Sequence, residues 1–529
     1  MDRPRLALTR LALVLVPVLF LGSFFVFPIA SVLGAGLRPG GALDLGKTWE
    51  VLAARTTRDV ALFTLGQAAL STALTLLVGL PGAYAISRFR FRGRRAVQAL
   101  VLVPFVLPTV VVGSAFSGIG RGLGPLLAAH VFFNVAVVVR VVGGFWARIE
   151  PEIEDAAIDL GAAGIRRFTR VMLPLSRPAI AGAATLVFLF TFTSFGVVLV
   201  LGDPRLTTIE VEIFRQTTQL LDLPAAAALS ILQLVVVSVL LAGGAVMETT
   251  GSIDQPLVGE RVAARAPRTR GERIFVSTTV VVLVALVVLP PARLVARSLK
   301  GAAGLTVDHY SDLGSVRRGS ALPVSPLDAI VTSLAYAAAA AAIALLVGAL
   351  AAAAVARAGR RRAGLRTLTA LPLGASAVTV GLGYVIAFDT PPIDFRDAIW
   401  LVPVAQAVVA IPFVMRSVTP VLASAQAWLT ETAADLGASP ARIARDVTFP
   451  FVLPALLGAA AFAAAISLGE FGATAFLSRA DRPTITVAIF RLLSQPGAAS
   501  VGQAMAMSTI LMTTVAAIAV AIDVVRGRR

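Results

Sequence analysis

Long apolar runs separated by short polar breaks dominate the chain. LALVLVPVLFLGSFFVFPIASVL (11–33) and VSTTVVVLVALVVLPPARLV (276–295) approach or exceed the roughly 18–20 apolar residues that carry a helix across a bilayer. Spans are predicted near 11–33, 60–86, 97–117, 125–142, 178–200 and 225–247. A second set is predicted near 274–293, 328–356, 367–388, 398–416, 454–477 and 500–524. The pattern is that of an all-α polytopic membrane protein with about 12 transmembrane helices, six in each half. Span 1 follows basic residues, as a signal peptide does, but its apolar length predicts an uncleaved anchor.

Composition agrees with this reading. The 529 residues are 57% hydrophobic and 14% charged, against roughly 25% charged in soluble proteins. There is no cysteine, and histidine occurs only at His130 and His309. Disulfides, thiolate chemistry and a histidine metal cluster are therefore not expected, and no catalytic, metal or cofactor-binding residue is assigned.

The net charge of +17 would suggest nucleic acid in a soluble chain. Its distribution gives another explanation. Arg3, Arg5 and Arg10 precede span 1, and Arg88, Arg90, Arg92, Arg94 and Arg95 separate spans 2 and 3. Arg261, Arg265, Arg268, Arg270 and Arg273 lie between spans 6 and 7. Arg357, Arg360, Arg361, Arg362 and Arg366 lie between spans 8 and 9, and Arg526, Arg528 and Arg529 end the chain. All fall on one side of a twelve-span topology, and positive loops face the cytoplasm. Both termini are thus expected there, in a bacterial plasma membrane, with no role for nucleic acid.

One stretch invites a different reading. Gly41-Ala-Leu-Asp-Leu-Gly-Lys-Thr48 fits the template of a phosphate-binding loop. The motif works only between a strand and a helix of an α/β domain, and here it lies between spans 1 and 2, on the outer side. A chance match is expected, with no ATP site in this chain.

The halves repeat. Asp155-Ala-Ala-Ile-Asp-Leu-Gly161 leads to Val171-Met-Leu-Pro174, and Glu431-Thr-Ala-Ala-Asp-Leu-Gly437 leads to Val447-Thr-Phe-Pro450. The offset is 276 throughout, and it continues into the next span, where Thr193-Ser-Phe-Gly196 meets Gly469-Glu-Phe-Gly472. Each copy reads as a short amphipathic helix, a glycine turn, a basic helix and a proline at the next membrane helix. Gly161 and Gly437 suit the left-handed residue that ends a helix, and the prolines suit a first helical turn. The duplicated spacing predicts a docking surface.

This pattern resembles the E-A-A-x3-G-x9-I-x-L-P signature of ATP-binding-cassette importer permeases. Asp155, Ala156, Ala157, Gly161, Val171, Leu173 and Pro174 fill the first copy; Glu431, Thr432, Ala433, Gly437, Val447, Phe449 and Pro450 fill the second. The resemblance implies two tandem six-helix permease modules, at 1–250 and 274–529, joined by a linker at 251–273. Their coupling segments would lie near 150–175 and 427–451. It also implies two copies of an ABC ATPase subunit that use ATP and magnesium at the cytoplasmic face, and an extracytoplasmic binding protein that delivers solute. Leu126–Asn134, Thr193–Gly202 and Thr207–Val211 look like thiamine permeases, whereas Ser467–Thr474 is similar to ferric-iron, molybdate and sulfate permeases. Ferric iron and thiamine are therefore the expected solutes.

Ionisable groups within a bilayer are costly and mark pathways or paired sites. Glu470 in span 11 is such a group, and its repeat partner is Ser194. Ser194, Phe195, Glu470, Phe471 and Thr474 are candidates for the translocation path, with Phe195 and Phe471 as an apolar gate or as packing. His130 and Asn134 share one face of span 4 and are expected to bond between helices. Asp203, Glu210 and Glu212 are expected to be solvated loop charges, too weak a set for a membrane enzyme. An ion-coupled secondary transporter with a 6+6 repeat is the alternative, though it leaves the duplicated segment unexplained.

Overall fold

The computed structural model describes residues 3–38, 42–162, 165–203, 206–250, 264–301, 304–358, 363–390, 393–427, 429–439 and 442–527. Most of the linker, with Arg261, lies outside the described residues, as do Arg360, Arg361, Arg362, Arg528 and Arg529 and the side chain of Asp155.

Nine helices are long and apolar enough to cross a membrane, and three bent pairs bring the total to twelve among the described residues. Numbered in chain order they are span 1 (Leu11–Leu37), span 2 (Arg55–Arg88), span 3 (Arg94–Val106 with Thr109–Ser117), span 4 (Leu123–Trp146), span 5 (Phe168–Leu175 with Arg177–Phe192) and span 6 (Leu223–Gly243). The second half has span 7 (Arg270–Ser298), span 8 (Pro326–Ala356), span 9 (Gly364–Leu373 with Ala377–Ala387), span 10 (Leu401–Ser424), span 11 (Ile443–Gly469) and span 12 (Ala498–Ile522). The protein is an all-α polytopic membrane protein; its strands are two-residue ribbons, Lys300–Gly301 with Gly304–Leu305 and Asp389–Thr390 with Ile393–Asp394.

Four predicted spans are bent or broken. Span 3 bends by 100° and span 9 by 102°. Before Thr109, Leu107 and Pro108 are extended, because proline pushes the preceding residue out of helical space. At the matching turn Ser376 is extended, and its hydroxyl accepts from the Val378 amide at 3.1 Å. A proline makes one bend and a helix cap makes the other. Span 5 ends early, at Phe192; after the break at Thr193–Phe195 a short helix follows at Gly196–Leu201. Span 11 ends at Gly469, with a short helix at Thr474–Leu477.

Each half lends its first helix to the other. Leu21 and Phe25 of span 1 pack in a core with Tyr336, Val380 and Val408, and the Tyr384 hydroxyl donates to the Phe24 carbonyl at 2.7 Å. Span 7 packs in return on spans 2 to 4, with Leu283 among Ile86, Val97 and Val135. Gly82 permits this approach, since a Cβ there would lie 2.8 Å from Leu283 Cδ1. Backbone bonds tie the ends of these elements, the Arg90 amide donating to the Arg265 carbonyl at 2.8 Å and the Arg265 amide to the Arg88 carbonyl at 3.1 Å. The largest core cluster joins the halves and holds Phe195 and Phe471 together.

Candidate functional site

The broken ends of spans 5 and 11 and the bends of spans 3 and 9 meet around a cavity of about 390 Å³. Spans 4 and 10 complete its wall with His130, Phe133 and Asn134 on one side and Val409 and Phe413 on the other. Both halves supply equivalent elements, so the cavity sits on the pseudo-twofold axis that the sequence repeat implies.

Phe195 and Phe471 stack across that axis, with ring centroids 5.2 Å apart and planes 20° from parallel. Phe195 also meets Phe214 at 5.3 Å, and Phe471 meets Phe490 at 5.6 Å. Phe214 and Phe490 are themselves 276 residues apart, so four rings form a row related by the repeat, of which Phe195 and Phe471 line the cavity. The predicted gate pair is in contact and buried. Small residues let the supporting helices close on it: a Cβ on Gly113 would lie 2.8 Å from Val200, and one on Gly381 2.8 Å from Phe476, the repeat-equivalent contact.

Ser194 and Glu470 both line the cavity, as the register predicts. Their chemistry differs. The Ser194 hydroxyl bonds His130 Nε2 at 3.0 Å, and His130 Nδ1 bonds the Ser71 hydroxyl at 3.0 Å. The Glu470 carboxylate turns back on its own chain, accepting from the amides of Ala473 at 2.7 Å and Thr474 at 3.0 Å. It caps the short helix that follows. Thr474 stands behind it, fully buried, with its hydroxyl donating to the Glu470 carbonyl.

The turns of the duplicated segments adopt one geometry, although the helix that follows is bent by 64° at Ser176 in the first copy and continuous over Ile443–Gly469 in the second. Gly161 and Gly437 have φ of +81° and +79°, the left-handed conformation expected of them. Ala162 N donates to Ala157 O at 2.8 Å and Gly161 N to Ile158 O at 2.9 Å; Ala438 N donates to Ala433 O at 3.0 Å and Gly437 N to Ala434 O at 2.9 Å. These paired bonds satisfy carbonyls left open at a helix end. The turns push Leu160 and Leu436 outward, 88% and 83% exposed. Pro174 and Pro450 each lie in the first turn of a helix, Leu173–Leu175 and Phe449–Gly469.

Comparison with known proteins assigns this architecture. Residues 71–248 match the family described as binding-protein-dependent transport system inner membrane component. A thiamine transport system permease protein of Brucella abortus is 29% identical over 475 residues, 84% of this chain and 83% of that one. Its counterpart in Haemophilus influenzae is 29% identical over 292 residues, 51% of this chain and 54% of that one. A 2-aminoethylphosphonate transport system permease protein of Salmonella typhimurium is 31% identical over 211 residues, 40% of this chain and 76% of that one. The chain belongs to the binding-protein-dependent transport permeases.

As a permease of an ATP-binding-cassette importer, it is a transport subunit with two fused halves, and the ion-coupled alternative falls away. The GALDLGKT stretch fits no phosphate loop. It follows the end of span 1 rather than a strand, and Asp44 caps the helix Leu45–Ala53 by accepting from the Lys47 amide at 3.1 Å. A carboxylate thus occupies the helix end where a phosphate would bind, and the Thr48 hydroxyl donates to the Gly36 carbonyl.

Two expectations for the permease need correction. Glu210 and Glu212 are not solvated: they are 0% and 7% exposed. Glu210 accepts from Gln233 Nε2, and Thr379 of span 9 bonds Gln233 in turn at 3.4 Å. Burial pushes the Glu210 carboxyl up to about 7, opposed by hydrogen bonds from Ser376 and Gln233. Glu212 binds Arg215 and Gln216 on its own helix. Arg88 is likewise more than a topological charge. It is buried and donates to the carbonyls of Trp146 and Ile149 at 3.0 Å each, closing the end of span 4.

The cavity wall also holds residues that sequence reasoning passed over. Phe105, Phe133, Phe190, Phe413 and Phe462 line it. Their signal was available in the register. At offsets of 268 in span 3 and 276 elsewhere, the matching residues are Leu373, Val409, Ile466, Val137 and Leu186. The stacked rings are duplicated; the other cavity rings are not.

Proposed function

We propose that this chain is the translocation subunit of a thiamine importer. The observation that carries the substrate is the match to thiamine permeases over 84% of the chain. The aromatic lining of the cavity supports it, because ring faces hold organic cations by cation–π attraction. Ferric iron has less support: it calls for a hard oxygen and nitrogen ligand set, and among the described residues no three His, Cys, Asp or Glu gather in one place.

In this reading the modules are 1–250 and 274–529, with 251–273 between them. Both termini and the two duplicated segments face the cytoplasm. One ATPase subunit seats on Asp155, Ala156, Ala157, Gly161 and Pro174, and a second on Glu431, Ala433, Gly437 and Pro450, each gripping the exposed Leu160 or Leu436. ATP and magnesium act there and not in this chain. An extracytoplasmic binding protein delivers solute above the Phe195–Phe471 stack. ATP binding turns the halves, parts the rings and admits solute to the cavity; hydrolysis restacks them behind it. No bond in the solute changes.

ATPase activity of the complex, co-expressed with its ATPase and reconstituted with thiamine-loaded binding protein, tests this. Stimulation in wild type and its loss in Gly437→Pro are expected. Stimulation by another loaded binding protein but not by the thiamine-loaded one refutes the substrate.

One observation favours a second substrate reading. Arg140 and Arg416 are 276 residues apart, on the faces of spans 4 and 10 that also carry Phe133 and Val409. They line equivalent pockets of about 210 and 570 Å³ on the side of the duplicated segments. A paired cationic route suits an anionic solute, as in the 2-aminoethylphosphonate relative. Uptake of that solute, lost in Arg140→Gln with Arg416→Gln, would replace thiamine.

A further inference from the structure

The repeat is kept at the gate and broken in the cavity, and the break has chemical content. All five lining phenylalanines named above face a non-aromatic residue in the register. Asn134 faces Ala410, and Ser194 faces Glu470. A passage that only conducts has no need of this asymmetry; a site that holds an asymmetric molecule in one orientation does.

Asn134 supplies the second observation. It is 1% exposed and lines the cavity. Its Nδ2 donates to the His130 carbonyl at 2.9 Å, which fixes the amide orientation. Its Oδ1 is then left as a buried acceptor with no partner among the described residues. His130 cannot serve it, since both ring nitrogens are engaged by Ser71 and Ser194. Buried polar groups are satisfied in nearly all native structures, so this acceptor points to a donor that arrives with a ligand. Phe105 packs against Phe133 and Phe190 at 5.9 Å in each case, with planes tilted by 42° and 56°, and all three rings line the cavity with Asn134.

We propose that the cavity is a solute-binding site for a small aromatic molecule carrying an N–H donor, with Asn134 Oδ1 as acceptor and Phe105, Phe133 and Phe190 as the stacking wall. Glu470, its carboxylate held by the Ala473 and Thr474 amides, lines the wall from the other half. This rests on the importer reading and adds to it: the permease itself selects its solute after the binding protein has released it.

The test is equilibrium binding of tritiated thiamine to the full chain co-purified with its ATPase, with no binding protein present. One thiamine per chain is expected. Asn134→Leu should weaken binding about tenfold, the weight of one buried hydrogen bond, and Asn134→Asp, which keeps an acceptor, should retain it. Phe133→Leu should weaken it several-fold through lost stacking. Assembly with the ATPase, read by size exclusion, separates these effects from misfolding. If wild type takes up thiamine in vesicles but binds none in this assay, the cavity is a corridor and this inference alone falls. Equal binding by Asn134→Leu and wild type overturns it as well. If wild type with its binding protein takes up no thiamine, the substrate reading fails and the site falls with it.

Discussion

Replacing Phe471 with leucine keeps apolar bulk at the gate but removes two ring contacts, to Phe195 at 5.2 Å and to Phe490 at 5.6 Å. An aromatic pair is worth roughly 0.5–1.5 kcal/mol beyond its buried area, so two pairs amount to about 1–3 kcal/mol of closed-gate stability. At 1.4 kcal/mol per tenfold, the open fraction should rise roughly 5- to 150-fold. The assay is efflux of preloaded radiolabelled thiamine from proteoliposomes holding the permease and its ATPase without nucleotide. Phe195 also has two ring partners, Phe471 and Phe214. Phe195→Leu should therefore leak to a similar degree, and the double variant should leak less than the product of the two, because they share one contact. Efflux at the wild-type rate in both single variants would refute the gate. So would a leak confined to one of them, because the row would then not be shared by the halves.

Other outcomes follow from the same structure. Glu210 favours its protonated form in the folded protein, with a pKa raised from 4.5 to about 7. Its contribution to stability is full below pH about 4.5 and is lost as pH rises through about 7. Glu210→Gln should therefore raise the thermal midpoint in detergent at pH 8 relative to wild type, with a smaller gain at pH 5; an equal gain at both would disprove the burial argument. Gly113→Val and Gly381→Val force a Cβ to 2.8 Å of Val200 and Phe476, and overpacking of this kind costs about 1–3 kcal/mol, visible as a lower midpoint. Leu160→Asp with Leu436→Asp should abolish co-purification of the ATPase while leaving the permease monodisperse, since both side chains lie at the surface. Retained co-purification would mean that the docking surface lies elsewhere.

Much of this architecture could be read along the chain, and particular residues explain both what was legible and what was not. Span positions followed from apolar length, and the duplicated segments from glycines whose positive φ no other residue adopts as readily. Pairing Ser194 with Glu470 and Phe195 with Phe471 needed only the 276-residue register. The bends were half visible: Pro108 is a conspicuous breaker, but Ser376 does the same work as an ordinary-looking serine. The cavity rings were hidden because a phenylalanine in an apolar span reads alike whether it faces lipid, core or solute. Glu210 misled for the opposite reason, since a charge between spans resembles loop charge until span 9 is seen to cover it. The exchanged first helices arise from contacts hundreds of residues apart, which no local pattern carries.

That exchange bears on how the protein is made. Span 1 ends at Leu37, and span 8, against which it packs, begins at Pro326. At about 5–20 residues per second, roughly 15–60 s of synthesis separate them. During that interval the face of span 1 carrying Leu21 and Phe25 has no partner but lipid or a membrane chaperone. The first half therefore cannot mature as a finished unit while the second is still on the ribosome. A chain truncated after span 6 would keep the contact of span 1 with span 6 at Gly36 but leave its Leu21 and Phe25 face and the bed of span 7 uncovered, an orphan for membrane quality control to remove.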